Sequence, residues 1–525
     1  MVRLSSGPLE REPFRRAARV ARLIVFAGVV ALGVGAGRAD TPLEQRQAPG
    51  RTQLVIVVDG LRPDYVTPDL MPRLVGLGRR GVVFNAHHSV FPTVTRVNAA
   101  AMATGVYPEA HGLLGNTVFV PAVNPLRGLD TGSRANLEAI AQADGRLLTA
   151  PSLGEILQQS GRKLLVVGSG TSGAAFLLNH TVGNGAILHH EYTRPATLGA
   201  HVLEVLGPPP AHAAPNAAQN RRAVDAYLTL GLDEIRPDVT FMWISDPDTT
   251  AHAHGIGTAL TREALTIVDR EIGRIEDTLK GKGLLERTNL LVTSDHGFST
   301  HTAAMKLDAL VRPFARPMPD GSPDIVVTEG AVNFRGGADA DRVAAIVAAL
   351  QRRPEVGAIF TRTGARGGHE GLIPGTLSFG VARWNHPRSG EILVSANWTR
   401  EKNEAGYEGK TTQSGVAGHG ATSPHDLQIP LMAAGPDFRE HAVSAAPTSN
   451  VDLAPTLLRL LGLEVPATMA GRVIEEGLRN GRSASVRVEH AAETVRTPDG
   501  SYELTAHVSV AVGHRYLDYT EVKRR

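Results

Sequence analysis

The 525-residue chain contains no cysteine. No disulfide can form, a cysteine-derived sulfatase nucleophile is excluded, and any metal site must draw on His, Asp, Glu or hydroxyl ligands. Aromatic residues make up only 5% of the chain, which argues against a carbohydrate- or base-stacking surface. Charge of one sign is also lacking. Fifty-four basic and 52 acidic side chains leave a formal net charge of +2, so nothing global points to nucleic acid or an anionic membrane surface. Long apolar runs are missing as well, apart from one short stretch near the N-terminus.

That stretch, Leu23 to Ala36, follows Arg15, Arg16, Arg19 and Arg22 and leads to Gly37-Arg38-Ala39. A basic region, a short apolar region and small residues at a cleavage position read as a secretory signal peptide over 1–39. The expected location is periplasmic or secreted. An uncleaved anchor is the alternative, but the run is shorter than the roughly 20 residues a spanning helix needs.

Past a polar linker, Leu54 to Val58 is a continuous β-branched run of the kind buried on both faces of a parallel sheet. Similar runs occupy Lys163–Val167, Val239–Ile244 and Asn289–Thr293, and helical patterns lie around 70–80, 97–104, 218–231, 259–281 and 338–351. This alternation predicts an α/β fold, a doubly wound mixed or parallel sheet flanked by helices. The expected organisation is a first part of the core at 40–314 and an inserted cap-like region at 315–415. The core returns over 416–480, and a C-terminal β-hairpin element at 481–525 turns at Pro498-Asp499-Gly500.

Three strands run into acidic residues: Asp59, Asp295, and the pair Asp246/Asp248. Open α/β sheets place their ligands beyond the carboxyl ends of the strands, so these carboxylates gather where a site is expected. Thr95 opens an Ala-rich helical segment that ends at Gly105. A helix N-terminus favours a phosphate, and a metal-activated hydroxyl there can attack phosphorus. A plain helix cap is the competing reading. Asp248 and His252 share one helical face, with Asp246 and His254 as rival choices. Asp295-His296-Gly297 follows a strand, and His419 sits between two glycines.

Taken together, these segments resemble the nucleotide pyrophosphatase/phosphodiesterase branch of the alkaline phosphatase superfamily. The resemblance rests on Asp59-Gly60, Pro92 to Asn98, Thr104 to Gly112, Asn116, the Asp248/His252 pair, Asp295-His296-Gly297 and Gly418-His419-Gly420. It implies an alkaline-phosphatase-like fold and two Zn²⁺ per chain. One ion is expected on Asp59, Thr95, Asp295 and His296, the other on Asp248, His252 and His419. Thr95 is the implied nucleophile, through a covalent phosphothreonine, and Asn116 is expected to bind a phosphate oxygen. His87, His88 and His111 are expected to be structural. Arg62 and Asp64 are expected to fix the loop after the first strand.

Arg96 stands where nucleotide-cleaving relatives carry an aromatic residue. Its guanidinium would stack on a base or bind a second anionic group of the substrate. The segment Gly168 to Ala175 lacks the basic pair of monoesterase relatives. The expected activity is therefore hydrolysis of a small phosphodiester or nucleotide pyrophosphate. A phosphomonoesterase or phosphonate hydrolase on the same metals is the alternative, and a non-catalytic metal-binding interaction protein is the reading from another class.

Overall fold

The computed structural model describes residues 50–302, 305–364, 368–482 and 486–525. The expected signal peptide lies outside the described residues. Among those described, no helix is long and apolar enough to cross a membrane.

The centre is a ten-stranded mixed sheet. Its first strand, Thr52–Val58, lies between Val239–Ile244 and Thr288–Thr293 and runs parallel to both. Leu164–Gly168 and Ala186–His189 extend the parallel part on one side. On the other side Gln428–Ala434 and Val82–His88 add antiparallel pairs. The apolar run of the first strand explains its place. Val55 and Val57 enter one core with Ala99, Phe241 and Leu457, while Leu54, Ile56 and Val58 enter the opposite core with Leu265, Val268 and Met242. Alternate side chains point to opposite faces, so only an uninterrupted apolar strand can serve two helical layers. One layer includes Thr95–Thr104 and Leu453–Leu460; the other includes Pro72–Arg80 and Ala259–Gly281.

Strand Val82–His88 was not among the expected strands. Its VVFNAHH sequence breaks the apolar run, because Asn85 is exposed and His87 pairs with Thr448. A second sheet of five strands spans 325–396, includes the helix Ala340–Gln351 within that stretch, and shares a core with Phe91, Leu427 and the C-terminal Val495, Tyr502 and Leu504. The expected cap over 315–415 differs at its far end. Trp398–Lys402, Glu408–Thr411 and Ala417–Gly418 form a separate four-stranded sheet with Ser299–His301. That pairing returns the chain beside Asp295 and His296.

The C-terminal element is a three-stranded antiparallel sheet, Val488–Arg496, Tyr502–Ala511 and His514–Arg524, rather than a hairpin alone. The second turn passes through Val512 and Gly513 with φ of 52° and 77°. Two successive positive φ angles suit a tight hairpin, but Val-Gly lacks the Asn or Asp that signals one in sequence.

Candidate metal centre

Asp59 ends the first strand and Asp295-His296 leaves the neighbouring one, so parallel pairing of the two strands brings them together. The Gly60 N–H donates to Asp295 Oδ1 at 3.2 Å, and the Asp248 N–H donates to the Asp59 carbonyl at 3.0 Å. Gly60 needs its φ of +71° for this turn, and an added Cβ would sit 3.1 Å from the Asp248 Cα. Gly297 is required for a different reason: a Cβ there would meet the His425 carbonyl oxygen at 2.0 Å.

Thr95 is the first residue of the helix Thr95–Thr104, after Val94 in the capping position. Its hydroxyl makes no capping hydrogen bond. It faces His296 Nε2 at 3.2 Å instead, which removes the plain-cap reading. Asp248 opens the helix Asp248–His254 and shares a face with His252; the two approach to 3.2 Å. Asp246 is fully occupied elsewhere. It accepts from the Asn216 N–H, Asn220 Nδ2 and Thr250 Oγ1 at 2.6 to 2.9 Å. His254 is exposed on the last turn of that helix.

Three imidazoles share one arrangement. His252 donates from Nδ1 to the Ala417 carbonyl, His296 to the Gly297 carbonyl and His419 to the Thr93 carbonyl, at 2.8 to 3.0 Å. A carbonyl can only accept, so each neutral ring presents a bare Nε2 lone pair. Those lone pairs point at carboxylate oxygens. His252 and His419 Nε2 lie 3.2 and 3.5 Å from Asp248 Oδ1; His296 Nε2 lies 3.0 Å from Asp295 Oδ2 and 3.5 Å from Asp59 Oδ1. These three carboxylate oxygens are buried and have no hydrogen-bond donor. Acceptors facing acceptors in a buried site need cations between them. Asp59, Asp295 and His296 form one group able to hold a metal ion, and Asp248, His296 and His419 another. His296 belongs to both, so the two candidate positions adjoin.

Without ions between them, these groups shift one another's titration. Burial pushes the Asp59 carboxyl well up, and the charges of Asp295 and Asp248 push it further. Burial opposes a charged His296, yet Asp295 and Asp248 outweigh it and hold its pKa above the ordinary value. Burial and the neighbouring His296 press the His419 pKa well down. For Asp248, burial raises the pKa, but His252, His419 and His296 together bring it below the usual carboxylate range.

Asn116 lies beside the nucleophile segment, its Oδ1 accepting the Arg96 N–H at 3.1 Å, so its Nδ2 is left to donate. Asp59, Thr95, Arg96 and Asp248 line an open cleft of about 550 Å³. The opposite wall carries Ser169, Thr171, His190, Glu191 and Gln219, with no aromatic side chain among the lining residues. His189, His190 and Glu191 also cluster as possible ligands. Both His189 ring nitrogens are already engaged, with the Gly170 carbonyl and the Glu191 N–H.

Reading from sequence missed Trp243. Its Nε1 donates to Asp59 Oδ2 at 2.8 Å and leaves Oδ1 of that carboxylate free. Within an apolar strand it looks like ordinary core. The remaining expected roles are filled locally. Arg62 clamps Asp64 through two bonds of 2.6 and 2.8 Å and reaches the carbonyls of Phe298 and Glu408. His87 bonds Thr448 and Asn450, His88 bonds Asp518, and the His111 ring accepts from the Leu113 N–H.

This site, at the carboxyl end of a mixed sheet with a hydroxyl at a helix N-terminus among seven Asp, His and Thr ligand candidates, defines the metal-dependent alkaline-phosphatase-like class. The family model for type I phosphodiesterase / nucleotide pyrophosphatase matches residues 53–420, and the chain belongs to that family. Venom phosphodiesterase 2 of Crotalus adamanteus is 27% identical over 265 residues, covering 50% of this chain and 28% of that protein. Ectonucleotide pyrophosphatase/phosphodiesterase family member 1 of Mus musculus is 26% identical over 266 residues, covering 49% and 25%. The match thus spans about a quarter of the length of these curated relatives. Human ectonucleotide pyrophosphatase/phosphodiesterase 5 superposes with a TM-score of 0.57 at 17% identity, over 82% of this chain and all of that one. An inactive threonine-to-alanine variant of the murine protein, in complex with AMP, gives 0.56 at 20%, over 79% and 96%. At these identities the likeness concerns the fold.

Proposed function

We propose that this chain is an exported two-zinc phosphodiesterase or nucleotide pyrophosphatase that works through a covalent phosphothreonine at Thr95. The observation that carries it is the set of three donor-less carboxylate oxygens facing three imidazole lone pairs around one threonine hydroxyl. Asp59, Thr95, Asp295 and His296 would hold one ion, and Asp248, His252 and His419 the other. Bound zinc would supply Lewis-acid polarisation of a phosphoryl oxygen and lower the pKa of a hydroxyl or water.

The protein's own groups supply the rest. Thr95 Oγ1 is held at the helix N-terminus, where backbone N–H groups and the helix dipole favour phosphate. The Thr95 oxygen loses its proton and bonds phosphorus, one ester bond breaks and its oxygen leaves with a proton as the alcohol, and the phosphoryl group with its second ester substituent stays on Thr95 until water displaces it and restores the hydroxyl. Asn116 Nδ2, left free because Oδ1 accepts the Arg96 N–H, would donate to a non-bridging oxygen. The Arg96 guanidinium, mostly buried and 3.7 Å from Asp130, lines the cleft where the remainder of the ester would lie. Arg96, Asp130 and Glu191 make this part of the cleft charged, which suits a polar outer group on the substrate. The N-terminal segment would direct export and 315–415 would cap the core.

The test is a panel on the zinc-loaded protein with bis-p-nitrophenyl phosphate, p-nitrophenyl phosphate and phosphonoacetate. Fastest turnover of the diester supports the reading. Fastest turnover of either other substrate moves it to the monoesterase or phosphonate alternative. No turnover with two ions bound leaves the non-catalytic reading.

A further inference from the structure

Glu329 approaches the nucleophile segment through Asn116, whose Oδ1 accepts the Arg96 N–H. It sits with Gly330 in a two-residue turn closed by backbone bonds between Thr328 and Ala331, with Gly330 at φ +76°. The turn fixes the carboxylate in place. Glu329 Oε2 accepts the Asn116 N–H at 2.7 Å. Asn116 is the residue whose Nδ2, under the reading above, would donate to phosphate. The same carboxylate lies within electrostatic reach of Arg96, His296 and His252. Glu329 remains exposed at the surface.

The local charges sharpen its effect. Arg96 is the one Arg or Lys among the described residues lining the cleft, and Asp130 and Glu191 line it too. Arg96 already lies 3.7 Å from Asp130. Beyond the metal ligands, one cation therefore faces three carboxylates.

We propose that Glu329 is a specificity-determining residue, a fixed negative charge beside the phosphate position that disfavours dianionic phosphoryl groups against monoanionic ones. In the alkaline range a monoester carries one more negative charge than a diester. A carboxylate beside it adds a repulsion that the diester feels once and the monoester twice. This rests on the phosphodiesterase reading above and adds the group that enforces it.

The test compares wild type, Glu329→Gln and Glu329→Ala, all zinc-loaded, in the alkaline range. Glu329→Gln keeps an acceptor oxygen for the Asn116 N–H and removes only the charge. The ratio of kcat/KM for p-nitrophenyl phosphate to that for bis-p-nitrophenyl phosphate should rise about threefold in both variants. Diester turnover of Glu329→Gln should stay within about threefold of wild type, with zinc content unchanged. A ratio that stays put, or two activities that fall together, overturns the proposal and leaves Glu329 only a prop for Asn116. Calorimetric binding of inorganic phosphate separates this from the wider reading, since it needs no turnover. Affinity should tighten about tenfold in Glu329→Gln, and unchanged affinity rejects the charge effect even in a protein that hydrolyses nothing.

Discussion

The imidazole of His419 lies face to face with that of His296, ring centroids 3.4 Å apart and planes 14° apart. Each ring commits Nδ1 to a backbone carbonyl, so the two Nε2 atoms are turned toward the same carboxylate cluster from adjacent layers. Two buried rings held this closely cannot both be charged without neighbouring anions to offset them, and two neutral rings leave the carboxylates unbalanced.

That stacked pair yields the first prediction. Elemental analysis of purified protein should find two zinc ions per chain. His419→Ala should lower this to about one and reduce turnover at least about a hundredfold, since one of two ions is lost. Chelation should abolish activity, and added zinc should restore it. Two tightly held ions remaining in His419→Ala would remove His419 from the ligand set.

Thr95→Ala separates binding from chemistry. The other six candidate ligands stay, so metal content should be close to wild type. Turnover should fall by several orders of magnitude, on the order of 10³ or more, because no acceptor remains for the phosphoryl group. Mass spectrometry of acid-quenched wild type turning over a diester should show on Thr95 a phosphoryl group that still carries the second ester substituent. Near-normal turnover of Thr95→Ala would rule out a covalent step there.

Much of this arrangement was legible before any coordinates, and the reason is local. Asp59 and Asp295 each follow an apolar run that can only be an inner strand, so chain order placed them at one sheet edge. Asp248 and His252 announced themselves by helical spacing. What sequence could not give were contacts made across the sheet by residues with an ordinary local role. Trp243 reads as one more apolar residue of its strand until pairing sets it beside Asp59. Glu329 reads as a turn residue, and its partner Asn116 is 213 positions away. Strand Val82–His88 was hidden because its histidines are satisfied by Thr448 and Asn450, far along the chain.

Trp243 supplies the third prediction, as a positioning residue. Its indole N–H fixes one oxygen of Asp59 and turns the other toward His296. Trp243→Phe keeps most of the buried ring volume and removes the donor. Zinc affinity should weaken about 10- to 100-fold, with turnover recovered at saturating zinc. A purely structural role would lower stability and leave the zinc dependence of activity unmoved.

Acid stability is the fourth. Burial pushes the pKa values of His87, His111 and His189 down to about 3, so each stays neutral in the folded protein. In the unfolded chain they take up protons near their ordinary value of about 6.5. Between those limits the unfolded state binds more protons, so stability falls as pH falls, by about 1.4 kcal/mol per pH unit for each fully titrating group. Asp426 acts in the opposite sense. Burial pushes its carboxyl up to about 6, so the folded form protonates first and gains stability on acidification from about 6 toward the ordinary carboxylate range. His301, His386 and His425, each pushed down to about 4 by burial, add in the same sense as these three histidines, so stability falls as pH falls through about 5. Urea midpoints of metal-free protein between about pH 7 and about pH 5 measure it without the added effect of zinc release. His87→Gln should lose about one histidine's share of the slope, because its ring, held by Thr448 and Asn450, is the one removed. A slope identical to wild type would mean that His87 is protonated in the folded protein, its burial offset by a charge that neither Thr448 nor Asn450 carries.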